Sequence, residues 1–425
     1  MSQPVALLGA DGFIGRHIAF ALRAQGYEVI AIARRVSALH AMGFQTIAAD
    51  LTDADWHSAA AWRDILPQGC WVVNAAGLLA ASESAFQAVH VAAPKALYQA
   101  LGTNARGILI SAFGIEAQTD FSKWRRLGEE AVPSHFAILR PGLVVADTSY
   151  GGTSLLRGMA SLPWGTPVVG AGDQMVTPLH AEDLADLVVH CLEAPDLGDD
   201  LFGAPLTCGG TERVSLSQYA SDLRSWMGLP PTRMVQVPIG AVRIAGELGD
   251  ILRLGPMSST VVDQLEQGVD APLDPRLAGA PQPRGWSEIV QTRPAGSQDL
   301  WHARLYLLRP LLRLTLAFMW LISGVLGLIL PGHMFLSAFG PDFPSWLGLA
   351  MARLGGIADL ALAVALARNW RPEIIGPAQI GLVAAYTIGL TSLAPALWML
   401  PFGGLLKNLP VVLLILVCMV LERER

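Results

Sequence analysis

Val5-Ala6-Leu7-Leu8-Gly9-Ala10-Asp11-Gly12-Phe13-Ile14-Gly15 is the stretch that decides the fold. Its four apolar residues suit a strand buried on both faces, and they run straight into glycines spaced G-x-x-G-x-x-G. An amphipathic segment from Arg16 to Gln25 follows, then Gly26, then a second apolar run at Val29-Ile30-Ala31-Ile32. Strand, glycine turn, helix and strand within roughly thirty residues form the βαβ context in which such glycines bind a dinucleotide. Glycine is needed where the turn is tight, where backbone approaches a pyrophosphate and where helix packs on strand. The phosphates then meet the positive end of the helix. The predicted fold class is α/β, a doubly wound parallel sheet of the Rossmann type.

Working outward, the residues after the second strand bear on which dinucleotide is bound. An NAD(H) site usually places a carboxylate there for the ribose hydroxyls, whereas this chain reads Ala33-Arg34-Arg35. Two guanidinium groups suit a 2′-phosphate through charge-assisted hydrogen bonds. The expected cofactor is NADP(H), with NAD(H) and a solvated pair of arginines as alternatives. Asp50-Leu51 closes a third apolar run, where Asp50 is expected near the adenine edge. Asn74-Ala75-Ala76-Gly77 ends a fourth, where Gly77 lets the chain pass close to the ribose.

With Gly107-Ile108-Leu109-Ile110-Ser111 and Leu139-Arg140-Pro141-Gly142, these residues resemble the extended or atypical branch of the short-chain dehydrogenase/reductase superfamily, the NAD-dependent epimerase/dehydratase type. The resemblance covers roughly residues 4 to 240. It implies that Gly9, Asp11, Gly12, Phe13, Ile14, Gly15, Arg34, Arg35, Asp50, Leu51, Asn74, Ala75, Ala76 and Gly77 hold the dinucleotide. It further implies that Ser111 flanks the substrate and that Pro141 and Gly142 line the nicotinamide pocket. A hydroxyl that caps its own strand end is the plain alternative for Ser111. His180-Ala181-Glu182-Asp183-Leu184-Ala185 matches a family segment that opens a helix beside the cleft, and its charges read as helix caps.

The enzymes of that superfamily carry a Tyr-x-x-x-Lys pair. Here the segment is Phe121-Ser122-Lys123-Trp124-Arg125, placed by the similarity of Gly128-Glu129-Glu130-Ala131 to the family's following helix. Phenylalanine has no ionisable proton and cannot do acid–base work. Arg125 keeps a positive charge near the ribose but is a poor proton relay. No tyrosine lies between Tyr98 and Tyr150, so a shifted alignment does not restore the pair. The catalytic residues are thus open, with degenerate positions at Phe121 and Arg125 and a candidate at Ser111. A domain division follows: 1–150 as the NADP-binding core, 151–298 as the remainder of the Rossmann fold with a smaller substrate lobe, and 299–425 as a membrane domain.

After Leu305 the composition turns strongly apolar. Leu311–Leu330, Trp346–Ala367, Ile374–Leu393 and Ala396–Leu421 each approach the ~20 residues that cross a bilayer's hydrocarbon core. Trp301–Tyr306 reads as an interfacial helix, with Pro310 starting the first span afresh. Arg304, Arg309, Arg313, Arg368, Arg371, Arg423 and Arg425 fall on one side of this four-span arrangement. By the positive-inside rule both termini are cytoplasmic, as expected for an N-terminus without a signal-peptide pattern. The predicted location is a bacterial inner membrane, with lipid as one partner. Arg353, Asp359 and Lys407 interrupt the apolar runs and are expected to face inward as a polar cluster, with Asp359 paired to one of the cations. Gly355-Gly356 and Gly403-Gly404 permit close helix approach beside them. This half resembles the DoxX-like membrane family, which implies four helices and a link to quinone or respiratory redox chemistry.

The net charge of −6 and the lack of a basic, aromatic-rich run exclude a nucleic-acid partner. Cys70, Cys191, Cys208 and Cys418 lie far apart with no C-x-x-C pair, so neither a disulfide framework nor a metal site is expected. Two functions remain open. One is a membrane oxidoreductase passing reducing equivalents to a quinone or respiratory partner. The other is a non-catalytic accessory subunit or redox sensor, similar to the dinucleotide-binding subunit of respiratory complex I.

Overall fold

A computed structural model describes residues 3–102, 105–194, 201–255, 257–336, 339 and 343–422. Arg423 and Arg425, used above for orientation, lie outside the described residues. The chain divides into two compact units, one built from Met1–Gly246 and Ser258–Leu300, the other from Glu247–Met257 and Trp301–Arg425.

The first unit is organised on a seven-stranded sheet. Its strands are β1 (Pro4–Leu8), β2 (Glu28–Ala33), β3 (Gln45–Ala48), β4 (Trp71–Asn74), β5 (Gly107–Ile110), β6 (Ala137–Pro141) and β7 (Leu206–Cys208). They run in the order β7-β6-β5-β4-β1-β2-β3, every pair parallel. The order reverses between β1 and β4, the crevice at which doubly wound sheets bind ligands. Alternation along β1 sends Val5 and Leu7 into one core and Ala6 and Leu8 into another, all at 0% exposure. Burial on both faces is why the strands read as unbroken apolar runs. Three two-stranded pairs lie outside this sheet, Val144–Val145 with Leu179–His180, Met175–Val176 with Val214–Ser215, and Thr166–Val169 with Met234–Val237.

Helix α1 (Phe13–Ala24) follows the glycine turn, α2 (Asp120–Glu130) follows β5, and α3 (Ala181–Glu193) packs on α1. Thr119 caps α2, its Oγ1 accepting from Ser122 N at 3.1 Å. Helix α4 (Ile239–Ile251) runs to the end of the first unit and into the second.

The second unit is helical: α5 (Ser297–Ile329, its first turn in the first unit), α6 (Ser345–Ala367), α7 (Pro372–Leu393) and α8 (Asn408–Glu422). Four helical stretches, ending with Gly403–Glu422, are long and apolar enough to cross a membrane. No more than 33% of any apolar window is buried in the protein, so most of that surface needs a non-aqueous neighbour. Two expectations need correction. Pro310 does not start a new helix after an interfacial one, because α5 runs through it. Proline removes only one backbone donor, and flanking packing can hold such a helix together. The fourth segment is α-helical only from Asn408, preceded by the short 3-10 turns Pro395–Met399 and Pro401–Lys407. Gly403 and Gly404 have φ of +94° and +30°, outside the right-handed helical region.

Candidate dinucleotide site and intramembrane polar groups

The glycine turn is shaped for close approach. Gly9 has φ +73°, donates to Ile32 O at 2.9 Å and accepts from Gly12 N at 3.0 Å. A Cβ on Gly9 would lie 2.8 Å from the Cα of Ala76, and one on Gly15 would collide with the Gly9 carbonyl. The turn is thereby pressed against the end of β4, and α1 begins at Phe13 with no side chain capping its N–H groups. Open amides in a concave turn suit a pyrophosphate.

Asp11 and Arg35 face one another, Nε to Oδ2 at 3.8 Å, with Arg35 68% exposed. Arg34 is also exposed, directly after β2. Asp50 Oδ1 accepts from Thr52 N at 3.0 Å and Thr52 Oγ1 at 2.8 Å. Partial burial works against its charge, but those bonds and the nearby Arg34 hold its carboxyl below the usual range. Leu51 packs into the core, and Asn74 is 1% exposed. Asn74 Oδ1 accepts from Ala76 N at 3.1 Å and its Nδ2 donates to Tyr98 OH at 2.9 Å, so its amide shapes the turn from beneath.

Helix α2 places Phe121 and Arg125 one turn apart, the spacing that puts them on one face. Phe121 is 6% exposed, and the Arg125 guanidinium lies 5.5 Å from its ring centre. Arg125 donates from Nη1 to Ile110 O at 2.9 Å and lies against Gly77, where any Cβ would overlap it. Burial lowers its pKa to about 10, opposed by Glu129 and Tyr98, so it remains charged at neutral pH. Its Nε and the hydroxyl of Ser111, which is 4% exposed, are both buried without a hydrogen-bond partner. Ser111 does not cap its own strand through that hydroxyl. Its N donates to Leu139 O at 2.7 Å, and Phe113 N donates to Pro141 O at 2.9 Å. Gly142 N donates to Cys208 O at 2.9 Å, and a Cβ on Gly142 would lie 2.8 Å from that of Ala271. The sequence-identified residues therefore follow the carboxyl ends of β1 to β6. The glycine turn, which a Cβ at residue 9 or 15 would fill, fits a dinucleotide's pyrophosphate.

Two features escaped the sequence reading, and a third was read only in part. His90 is 5% exposed in a π-helical turn, Ala88–Ala92, and its Nε2 accepts from Leu78 N at 3.1 Å. Burial, aided by the charge of Arg125, pushes it down to about 3, so it is neutral with its proton on Nδ1. The ring of Tyr150, 61% exposed, stacks on Phe13 at 5.9 Å. His180 caps α3, its Nδ1 accepting from Glu182 N at 3.3 Å, while Asp183 accepts from Arg284 N and Nε, each at 2.9 Å. Those groups act as caps and anchors, as the sequence indicated, but Arg284 lies too far along the chain to be foreseen.

In the second unit the expected pairing of Asp359 with a cation gives way to another arrangement. Asp359, 3% exposed, accepts from Ser323 Oγ at 2.5 Å and from Tyr386 OH at 2.8 Å. Arg353 is six positions away on α6, which turns it to another side of the helix. It donates to Gly327 O at 2.7 Å and Leu330 O at 2.9 Å, meeting the negative end of α5. Lys407 is exposed and makes no ion pair among the described residues. Gly355 leaves room for the Tyr386 hydroxyl, and Gly356 approaches Gly324 and Gly327, so this pair does allow close helix contact, whereas Gly403 and Gly404 lie in a turn and meet only Lys407, Leu397 and Leu400 nearby in sequence.

The strand order and the glycine turn define a doubly wound, Rossmann-like parallel sheet, followed by an apolar four-helix region. The NAD dependent epimerase/dehydratase family matches residues 5–103, and the DoxX-like family matches residues 317–416. The chain is 27% identical over 268 residues to a ceramide reductase of Caulobacter vibrioides (strain NA1000 / CB15N), covering 58% of this chain and 77% of that protein. Among solved structures it is similar to MoeE5 in complex with UDP-glucose and NAD, at 19% identity and TM-score 0.48 over 72% of this chain and 99% of that one. It is also similar to UDP-glucuronic acid 4-epimerase from Bacillus cereus with NAD, at 19% identity and TM-score 0.43 over 55% and 87%.

Proposed function

We propose that this protein is a membrane-anchored, NADP(H)-dependent reductase whose acceptor is a carbonyl group carried by a membrane lipid, either a quinone or a long-chain lipid ketone. The observation that carries the proposal is the pair of orphaned groups, Ser111 Oγ and Arg125 Nε, buried beside the crevice. The apolar helices and the relative named for reduction of a lipid support the choice of acceptor. In this reading residues 1–150 hold the dinucleotide, 151–298 complete the fold and shape the acceptor lobe, and 299–425 anchor it. Gly9, Gly12, Gly15 and the first amides of α1 hold the pyrophosphate. Arg34 and Arg35 hold the 2′-phosphate, Asp50 and Leu51 border the adenine, Gly77 and Arg125 the ribose, and Pro141 and Gly142 the nicotinamide.

The dinucleotide supplies a hydride when bound. A ketone that accepted it would need a proton at its carbonyl oxygen to become an alcohol. Ser111 donates a hydrogen bond to that oxygen, and the fixed charge of Arg125 stabilises the negative charge that develops there. Phe121 has no proton to give, so the proton comes from water reaching the cleft. In this reading the first unit and both termini are cytoplasmic and the membrane is a bacterial inner membrane, which the arginine distribution supports. A quinone acceptor would make respiratory-complex subunits natural partners.

A second reading, a non-catalytic accessory subunit or sensor, draws on the apolar burial of Phe121 at the tyrosine position. The two separate in one experiment. The full chain in nanodiscs is given NADPH and either a quinone analogue, a long-chain lipid ketone or a small soluble ketone. Turnover is expected with a lipid-borne acceptor only, and Ser111→Ala should lower it by about ten-fold or more while leaving NADPH affinity unchanged. Tight NADPH binding with no turnover of any acceptor would select the accessory reading.

A further inference from the structure

Helix α4 presents an apolar face that the protein does not cover. Ile244, Leu248 and Ile251 are 60%, 51% and 70% exposed. Their spacing of four and three residues puts them in one row along the helix. Gly240, Ala241 and Leu252 border that row on the wheel, and the exposed Glu247, three positions after Ile244 and four before Ile251, stands at its charged edge. The opposite side of the helix is committed. Within the first unit a Cβ on Gly246 would lie 3.1 Å from Ser259 Cα and from Val262 Cγ2, and within the second a Cβ on Gly249 would strike the Met257 carbonyl. Arg243, away from the row, is held by Glu266 at 2.8 Å. Glycines thus seat one side of α4 while large aliphatic side chains project from the other.

The end of the helix bears on which neighbour suits that row. Leu252 O accepts from Arg313 Nη2 at 2.9 Å, within the second unit. Arg313, 3% exposed, stands where the long apolar stretch of α5 begins. The last turn of α4 is therefore held at the level at which a membrane-crossing helix enters its apolar run, where polar head groups give way to acyl chains. A short helix with one aliphatic row and one seated polar side is the type that lies in that boundary.

We infer that α4 is a membrane-surface helix whose Ile244, Leu248 and Ile251 insert into the lipid head-group and acyl boundary. This surface is separate from the dinucleotide site and does not depend on the acceptor proposed above. The four cysteines are buried, so single cysteines can be introduced and labelled in the intact chain. Ile244→Cys, Leu248→Cys and Ile251→Cys, together with Arg243→Cys and Asp250→Cys, would each carry an environment-sensitive fluorophore. The full chain is placed in phosphatidylcholine nanodiscs with or without brominated acyl chains. Labels in the row should be quenched about two-fold or more by brominated lipid, and labels at Arg243 and Asp250 much less. With the label kept at Ile251→Cys, adding Ile244→Ser and Leu248→Ser should reduce that quenching while NADPH binding, read by calorimetry, stays intact. Quenching that is absent, or equal at all five positions, would overturn the inference. So would self-quenching between labelled chains without lipid quenching, which would assign the face to a second copy.

Discussion

Arg125 and Gly77 share one volume: the guanidinium lies where any side chain on residue 77 would have to go, and it is anchored there by its bond to Ile110 O at 2.9 Å. The Arg125 charge is thus locked between the ends of β4 and β5. Gly77→Ala should dislodge it at a cost of about 1–3 kcal/mol, the usual range for overpacking. The expected result is a lower Tm together with weaker NADPH binding, read by thermal unfolding and calorimetry. An unchanged Tm and affinity would mean that Arg125 has no positioning role there.

Cofactor choice should rest on Arg34 and Arg35. Replacing both by Ala should weaken NADPH binding by about 2–4 kcal/mol, since charge-assisted bonds are worth ~1.5–3 kcal/mol each and add incompletely. NADH affinity should change little. Equal losses for both dinucleotides in calorimetry would remove the preference for NADP(H).

His90 makes a prediction about pH. Its folded-state pKa is about 3, below the ordinary value of 6.5. The unfolded chain therefore takes up a proton first as the solution is acidified. The stability linked to the neutral ring is fully present above about pH 6.5 and is lost as pH falls toward 3, at up to about 1.4 kcal/mol per pH unit. Denaturant titrations from pH 7 to pH 4 should show a shallower decline for His90→Gln than for the parent. Parallel curves would place the titration on other groups.

The hydroxyl pair around Asp359 should matter more than the intramembrane cation. Ser323→Ala and Tyr386→Phe each remove a donor to a buried carboxyl and should cost about 1–3 kcal/mol. Lys407→Met, at an exposed position, should stay within about 0.5 kcal/mol. Thermal unfolding in one detergent compares all three. A large loss for Lys407→Met with none for the hydroxyl variants would restore an ion pair as the stabilising contact.

The first βαβ unit was legible because burial on both sheet faces leaves apolar runs, and because only glycine permits φ +73° at residue 9 and the contact between residues 15 and 9. The apolar helices were legible for a related reason, since the hydrocarbon thickness sets a minimum length. That Phe121 has no ionisable proton was legible from its residue type, whereas its standing at a tyrosine position is what the family resemblance implies. Pro310 misled because a proline reads as a break unless the packing around it is known.

The sequence by itself determined the α/β class, the glycine cradle and the apolar helical half, because each is written in local periodicity or residue chemistry. Only the tertiary structure decided that Arg125 turns onto Gly77 and Ile110, that Ser111 and Arg125 retain unpartnered atoms, and that Asp359 is met by Ser323 and Tyr386. It alone showed that one face of α4 is uncovered. Those relationships join residues up to 36 positions apart in the Asp359 cluster, and which buried polar group finds a partner depends on how distant segments pack.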